Sequence, residues 1–178
     1  MFEQNTRSTY TPSLSLPYPK PRVVRPNQFY AILLLEDYAG AISELTAITQ
    51  FIYHSFILNE YEDLHKLEKA VAIEEMHHLQ LLGQTISLLG VDPKFRTLTD
   101  NIASYWKASY AYYGCGICDR ISADIAAERS AISQYRYHLR LIEDPYIRQL
   151  LDRIILDEEE HLNLFQQMAA KYCHTIQS

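Results

Sequence analysis

Apolar residues recur every three or four positions along four long stretches of this 178-residue chain. Each stripe carries a carboxylate near its middle, where a buried face should hold none. The first stretch runs from about Asn27 to Leu58, with Leu34, Asp37, Ala41, Glu44, Ile48 and Phe51 on one face. The second spans roughly 61–89, with Leu64, Val71, Glu75, His78, Leu82 and Leu89, and stops at Gly90 with Pro93 beyond. The third runs from Asp119 to Ile142 through Ile121, Ile125, Glu128, Ile132, Tyr135 and Leu139. The fourth opens at Asp144-Pro145, a capping residue followed by a first-turn proline. It continues to about Tyr172 through Ile147, Leu151, Ile154, Glu158, His161, Phe165 and Met168.

Four amphipathic helices follow from this spacing. Short links between the first and second, and between the third and fourth, make two antiparallel hairpins. The connection 90–118 is long enough to cross the length of a bundle. Its aromatic part (Tyr105, Trp106, Tyr110, Tyr112, Tyr113) is expected to add a helix near 100–113, ended by Gly114-Cys-Gly116. Five of the seven prolines lie in the first 26 residues, which excludes helix there. The expected organisation is therefore an extended tail, 1–26, before an all-α antiparallel four-helix bundle, 27–178. Leu14, Leu16, Tyr18, Val23 and Val24 would let the tail lie as an arm over a partner subunit.

The interrupting residues carry the chemistry. Glu75-Met-His-His78 and Glu158-Glu-Glu-His161 are Glu-x-x-His tetrads, and a Glu and a His three apart share one helix face. Glu44 and Glu128 add one inward carboxylate from each remaining helix. Four carboxylates gathered in a core repel one another and take up protons. Each unpaired charge would cost several kcal/mol. Two divalent cations remove the conflict, because four carboxylates and two neutral imidazoles balance their charge. A Glu from each of two helices and a Glu-x-x-His from each of the others is the ligand set of a two-metal bundle site with one long crossover, the ferritin-like connectivity. Oxygen-rich coordination with one nitrogen per metal suits iron or manganese; zinc favours fewer ligands and more nitrogen or sulfur. Glu74 and His77 form an overlapping tetrad on a nearly equivalent stripe, so the residues alone leave the register of the second helix open.

Residues 43–54 (SELTAITQFIYH), 73–78 (IEEMHH), Ala126-Ala-Glu128 and 155–162 (ILDEEEHL) resemble the four helices of bacterioferritins, with rubrerythrins as relatives. The resemblance implies a di-iron or di-manganese centre with Glu44, Glu75, His78, Glu128, Glu158 and His161 as ligands, so it favours Glu75/His78 over Glu74/His77. It also implies that Glu75 and Glu158 bridge while Glu44 and Glu128 are terminal. Met76 stands where bacterioferritins place a haem-ligating methionine, although haem is not expected. The chain ends soon after His161, without the short fifth helix used in cage contacts. This moves the expectation from iron storage toward redox chemistry in a dimer or small homo-oligomer. The expected activity is ferroxidase- or peroxidase-like, with O2, H2O2 or Fe(II) as substrate and an unidentified electron donor. An iron-storage subunit, a dimanganese catalase and a structural zinc bundle are the alternatives.

Other residues are weaker signals. Tyr135, two turns from Glu128, would hydrogen-bond a ligand or relay an electron, with a packed core tyrosine as the default. Asp37, above Glu44, would line an entry path or cap a wet end. His54 and His77 would stand behind the ligands or at a subunit interface, with exposure and no role as the default for each. Cys115, Cys118, Cys173 and His174 are expected to gather at one end of the bundle as a thiol pair or a small metal site. Three cysteines cannot all pair within one chain, which favours a reducing cytoplasm. A net charge of −6 argues against nucleic acid and anionic membranes as partners. No apolar run is long enough to span a bilayer.

Overall fold

The computed structural model describes residues 10–99 and 102–173. Helix α1 (Gln28–Ala39) begins at Asn27, whose side chain accepts the Tyr30 N–H. It ends at Gly40, and α2 (Glu44–Ile57) restarts from Ser43, whose hydroxyl accepts the Thr46 N–H. Helices α3 (Glu62–Leu88), α4 (Ile117–Leu141) and α5 (Pro145–Tyr172) complete the bundle, with α2 packed chiefly on α3 and α4 on α5.

The single first helix expected over 27–58 is therefore two helices. The apolar stripe runs through the junction, which hides the break from a periodicity reading. The local signals were Gly40 and Ser43, a helix-ending residue followed by a helix-starting one. At Gly40 a Cβ would lie 2.6 Å from the Glu36 carbonyl oxygen, so only glycine fits. The Ser43 and Thr46 hydroxyls both donate to the Gly40 carbonyl and lock the corner.

The crossover also departs from expectation. Instead of a helix, strands β1 (Arg96–Thr99) and β2 (Ile102–Tyr105) pair antiparallel, with Arg96 opposite Tyr105 and Thr99 opposite Ile102. Thr, Ile and Tyr in these strands prefer extended backbone. A single 3-10 turn follows at Ala108–Tyr110. The crossover is then pinned to α2, because the Trp106 indole donates to Thr46 Oγ1 and the Tyr112 N–H to Gln50 Oε1.

The N-terminal segment from residue 10 lies along this chain's own α5. Arg153 donates to the Leu14 and Leu16 carbonyls, and the Leu14 and Val24 N–H groups reach Asp157 and Asp144. An arm needs no partner subunit to find a surface here. Two apolar clusters fill the bundle. One is centred on Leu34, Leu82, Leu151 and Ile154, the other on Phe51, Leu64, Val71 and Phe165. Fully burying such a side chain contributes about 1.5–3 kcal/mol. The polar layer described next lies between them.

Candidate metal centre

Each bundle helix delivers its carboxylate to one level. Glu44 is the first residue of α2, so the break at Gly40 sets it at a helix N-terminus, where the backbone dipole favours a negative charge. Glu75 and His78 share the inner face of α3, Glu128 comes from α4, and Glu158 and His161 come from α5. All six side chains are buried.

They fall into two overlapping groups. Glu44, Glu75, His78 and Glu158 each offer a ligand atom within 4.8 Å of the others, and so do Glu75, Glu128, Glu158 and His161. Glu75 and Glu158 belong to both. His78 Nδ1 is 3.0 Å from Glu75 Oε2 and 3.0 Å from Glu158 Oε1; His161 Nδ1 is 3.0 Å from Glu75 Oε1. Glu75 Oε1, Glu128 Oε1, Glu158 Oε1 and both His161 nitrogens have no hydrogen-bond partner among the described residues. Buried polar atoms are rarely left so. Their convergence on one interior, with the carboxylate-rich donor set, fits two divalent cations.

The electrostatics agree. Burial, with the charges of Glu75 and Glu158, pushes the Glu44 and Glu128 carboxyls well above the usual range. Burial also pushes Glu75 upward, but the adjacent Glu44 carboxyl and the two imidazoles hold it well below. Burial would lower His161, yet the Glu75 and Glu158 carboxylates raise it to about 9. Without cations the cluster is a proton trap.

Contacts behind the ligands are uneven. His78 Nε2 is 2.9 Å from the Tyr18 hydroxyl and 3.3 Å from Asp157 Oδ2. Tyr18 Oη also reaches Glu74 Oε1 at 2.6 Å and contacts Asp157. A phenol has one proton. If that proton goes to a carboxylate, the oxygen accepts from His78 Nε2–H, which leaves the Nδ1 lone pair pointing into the cluster. Arg153 lies over the Tyr18 ring, 4.1 Å from its centroid, and pairs with Asp157. The Tyr135 hydroxyl donates to Glu44 Oε1, on the far side of the same half. A cavity of about 470 Å³ reaches Glu44, Glu128, Glu158 and Tyr135. Ala123, Ala126, Ala127 and Ala131 of α4 give it a smooth wall, and the α1–α2 corner forms its rim.

Sequence reasoning missed Tyr18 and Asp157. Tyr18 belongs to an extended, proline-rich segment with no periodicity to mark it. Asp157 had a signal, a buried carboxylate one turn from Arg153. On α3, Glu75 and His78 side chains are 0% exposed, while those of Glu74 and His77 are 15% and 44% exposed. Glu74 and His77 therefore lie outside the six-residue cluster, although Glu74 flanks it through Tyr18. Asp37 is buried, bonded to His138 Nδ1 and Gln134 at 2.8 Å each. Met76 is exposed on the outer face of α3.

The cysteines need two corrections. Cys118 and Cys173 form a disulfide that joins the first turn of α4 to the end of α5, and Cys115 is exposed and free. Bonded sulfurs are not thiolate ligands, so a cysteine metal site is not formed. His174 lies outside the described residues. A disulfide also removes the force of the odd thiol count as an argument for a reducing compartment. No helix among the described residues is long and apolar enough to cross a membrane.

The sequence signature of manganese containing catalases matches residues 15–105, just over half of the chain, from the segment holding Tyr18 through Glu44, Glu75 and His78 to the end of β2. The chain belongs to the manganese containing catalase family. A probable manganese catalase of Clostridium acetobutylicum is 28% identical over 171 residues, covering 84% of this chain and 74% of that one. Bacterioferritin of Mycobacterium leprae is 26% identical over 133 residues, covering 72% and 77%. The crystal structure of KatB, a manganese catalase from Anabaena PCC7120, superposes with a TM-score of 0.81 at 25% identity, covering 93% of this chain and 85% of that one. Bacterioferritin BfrA of Mycobacterium tuberculosis, at 24% identity and a TM-score of 0.68, shares the fold. This member of the manganese containing catalase family thus has the ferritin-like bundle and a buried carboxylate–histidine cluster of the di-metal redox class.

Proposed function

We propose that the chain is a catalase that disproportionates H2O2, two molecules giving two of water and one of O2, at a dinuclear centre held by Glu44, Glu75, His78, Glu128, Glu158 and His161. The observation that carries this reading is the pair of four-ligand groups sharing Glu75 and Glu158. It sits beside a small-walled cavity in a chain of this family. Two manganese ions bound there would supply the two-electron redox change that peroxide needs; iron would suit the same donors.

The protein's part is positioning, access and proton handling. Glu75 and Glu158 are the shared ligands. Glu44 is fixed by Tyr135, and His78 by Tyr18 and Asp157. The alanine wall admits a molecule the size of peroxide. Glu128 Oε1, like Glu158 Oε1, is a cavity-lining carboxylate oxygen without a hydrogen-bond partner among the described residues, and on an unshared ligand it would hold a proton from an arriving peroxide. Because peroxide is both oxidant and reductant, no separate electron donor is required. Assembly as a small homo-oligomer belongs to the same reading, supported by exposed Ile73 and Met76 on α3.

Oxygen evolution by the manganese-loaded protein tests it. Steady O2 release from H2O2, in a ratio of one to two, is the expected result. A filled centre that releases no O2 but oxidises Fe(II) would replace this reading with a ferroxidase.

A further inference from the structure

We propose that His54, Glu68 and Asp124 form a separate site for one divalent first-row transition-metal cation, distinct from the dinuclear centre. The three come from α2, α3 and α4, and their ligand atoms lie within 4.8 Å of one another. All three side chains are fully buried. None is shared with the six-residue cluster. Glu68 lies two helical turns before Glu75, about 10 Å along α3.

Glu68 points to a ligand most directly. It is 0% exposed, yet neither carboxylate oxygen has a hydrogen-bond partner among the described residues. Among the described residues Glu68 has no ion pair, and Asp124 pairs with His54 alone. Among the described residues no arginine or lysine pairs with either carboxylate. One divalent cation would balance them, with a neutral imidazole as the third donor.

His54 is arranged as metal-bound histidines are. Its Nε2 is 2.9 Å from the Tyr112 carbonyl oxygen, which can only accept, so Nε2 carries the hydrogen. Nδ1 then faces Asp124, 3.0 Å away. Asp124 is oriented in turn by Gln50, whose Nε2 donates to Asp124 Oδ1 at 2.8 Å while its Oε1 accepts the Tyr112 N–H. Residue 112 of the crossover thus fixes two side chains of the site. One nitrogen and two carboxylates suit manganese, iron or zinc. The competing arrangement places a proton on Glu68. Burial and the charge of Asp124 raise its carboxyl well above the usual range, as a cation-free site would require.

The test uses the full chain, stripped of metal and reloaded with Mn(II) alone. Anomalous diffraction at the manganese edge should show a peak enclosed by His54, Glu68 and Asp124, separate from peaks at Glu75 and Glu158. Metal analysis should fall by one Mn per chain in Glu68→Leu while O2 release persists. An anomalous map with peaks at Glu75 and Glu158 but none at His54 would overturn the proposal and leave the dinuclear reading intact. The reverse pattern would leave this site and remove the dinuclear one. Because the wild-type map decides, the result does not depend on Glu68→Leu folding. An unchanged metal count in a folded Glu68→Leu would also overturn it.

Discussion

The two halves of the dinuclear cluster have the same ligand types but different surroundings. In the half with Glu44 and His78, the protein holds the ligands from behind: Tyr135 binds Glu44, while Tyr18 and Asp157 hold His78 Nε2. In the half with Glu128 and His161, no side chain from outside the cluster holds either His161 ring nitrogen or Glu128 Oε1 among the described residues. The cavity borders both halves, through Glu44 and Tyr135 on one side and Glu128 on the other. One half is braced by side chains. The other is open in the sense that it lacks such braces, and it is held by its backbone, since the Cys118–Cys173 bond joins the helices that carry Glu128 and His161. The difference suggests a division of labour, with geometry kept on one side and exchange allowed on the other.

The strongest way to break the comparison is to remove a ligand both halves share. Glu158→Ala should reduce O2 release to background and remove the spin-coupled signal of a metal pair from the EPR spectrum. Glu128→Ala should remove only the open half's tight metal. Two metals retained at the Glu75–Glu158 level in Glu128→Ala would sink the ligand assignment.

The bracing is tested next. Tyr18→Phe and Asp157→Asn should each lower metal affinity or turnover about 10–100-fold, the usual effect of losing a group that orients a ligand. Metal titration would show it, with the loss confined to the His78 side. An equal loss at both metals would show that the halves are not independent.

The open half's backbone support comes third. The Cys118–Cys173 bond closes a loop spanning a sequence separation of 55, and the chain-entropy relation assigns such a loop about 4 kcal/mol. Cys118→Ser should destabilise the protein by up to that amount in denaturant unfolding.

The smallest effect is that of pH. In metal-free protein His161 is raised to about 9, so the folded state keeps a proton that the unfolded chain loses near 6.5. Burial and neighbouring carboxylates raise Glu44 and Glu128 as well. The folded state thus binds more protons than the unfolded one, and stability falls as pH rises. His161 contributes fully below 6.5 and ceases to do so as pH passes about 9. The metal-free Tm should drop by several degrees over that window, and manganese should flatten the slope. Metal loading itself should weaken as pH falls, because protons compete for the same atoms.

Much of this was legible from residue spacing, because helix periodicity acts through a whole stretch. Glu44, Glu128 and Glu158 interrupt apolar stripes, and the structure gathers all three. The register between Glu75/His78 and Glu74/His77 was not legible from residues alone. A one-residue rotation leaves both stripes apolar; the family resemblance favoured Glu75/His78, and the structure buries that pair. The α1–α2 break was masked by the continuous stripe. Tyr18 lay in a segment without a period, so its contact with His78 is purely tertiary. His54 was expected to be exposed and is buried. It sits on the Glu44–Phe51 face of α2, which the reading did not extend that far.

The contact between Tyr18 and Asp157 spans 139 residues. A chain made at about 5–20 residues per second exposes Tyr18 on the order of ten seconds before Asp157 is synthesised. During that interval the back of His78 is uncovered, and the centre's last helix does not yet exist. A segment made before every helix of the bundle is therefore among the last to find its place. Docking of the arm is a late step of biosynthesis, and until then the His78 side of the centre remains open from behind.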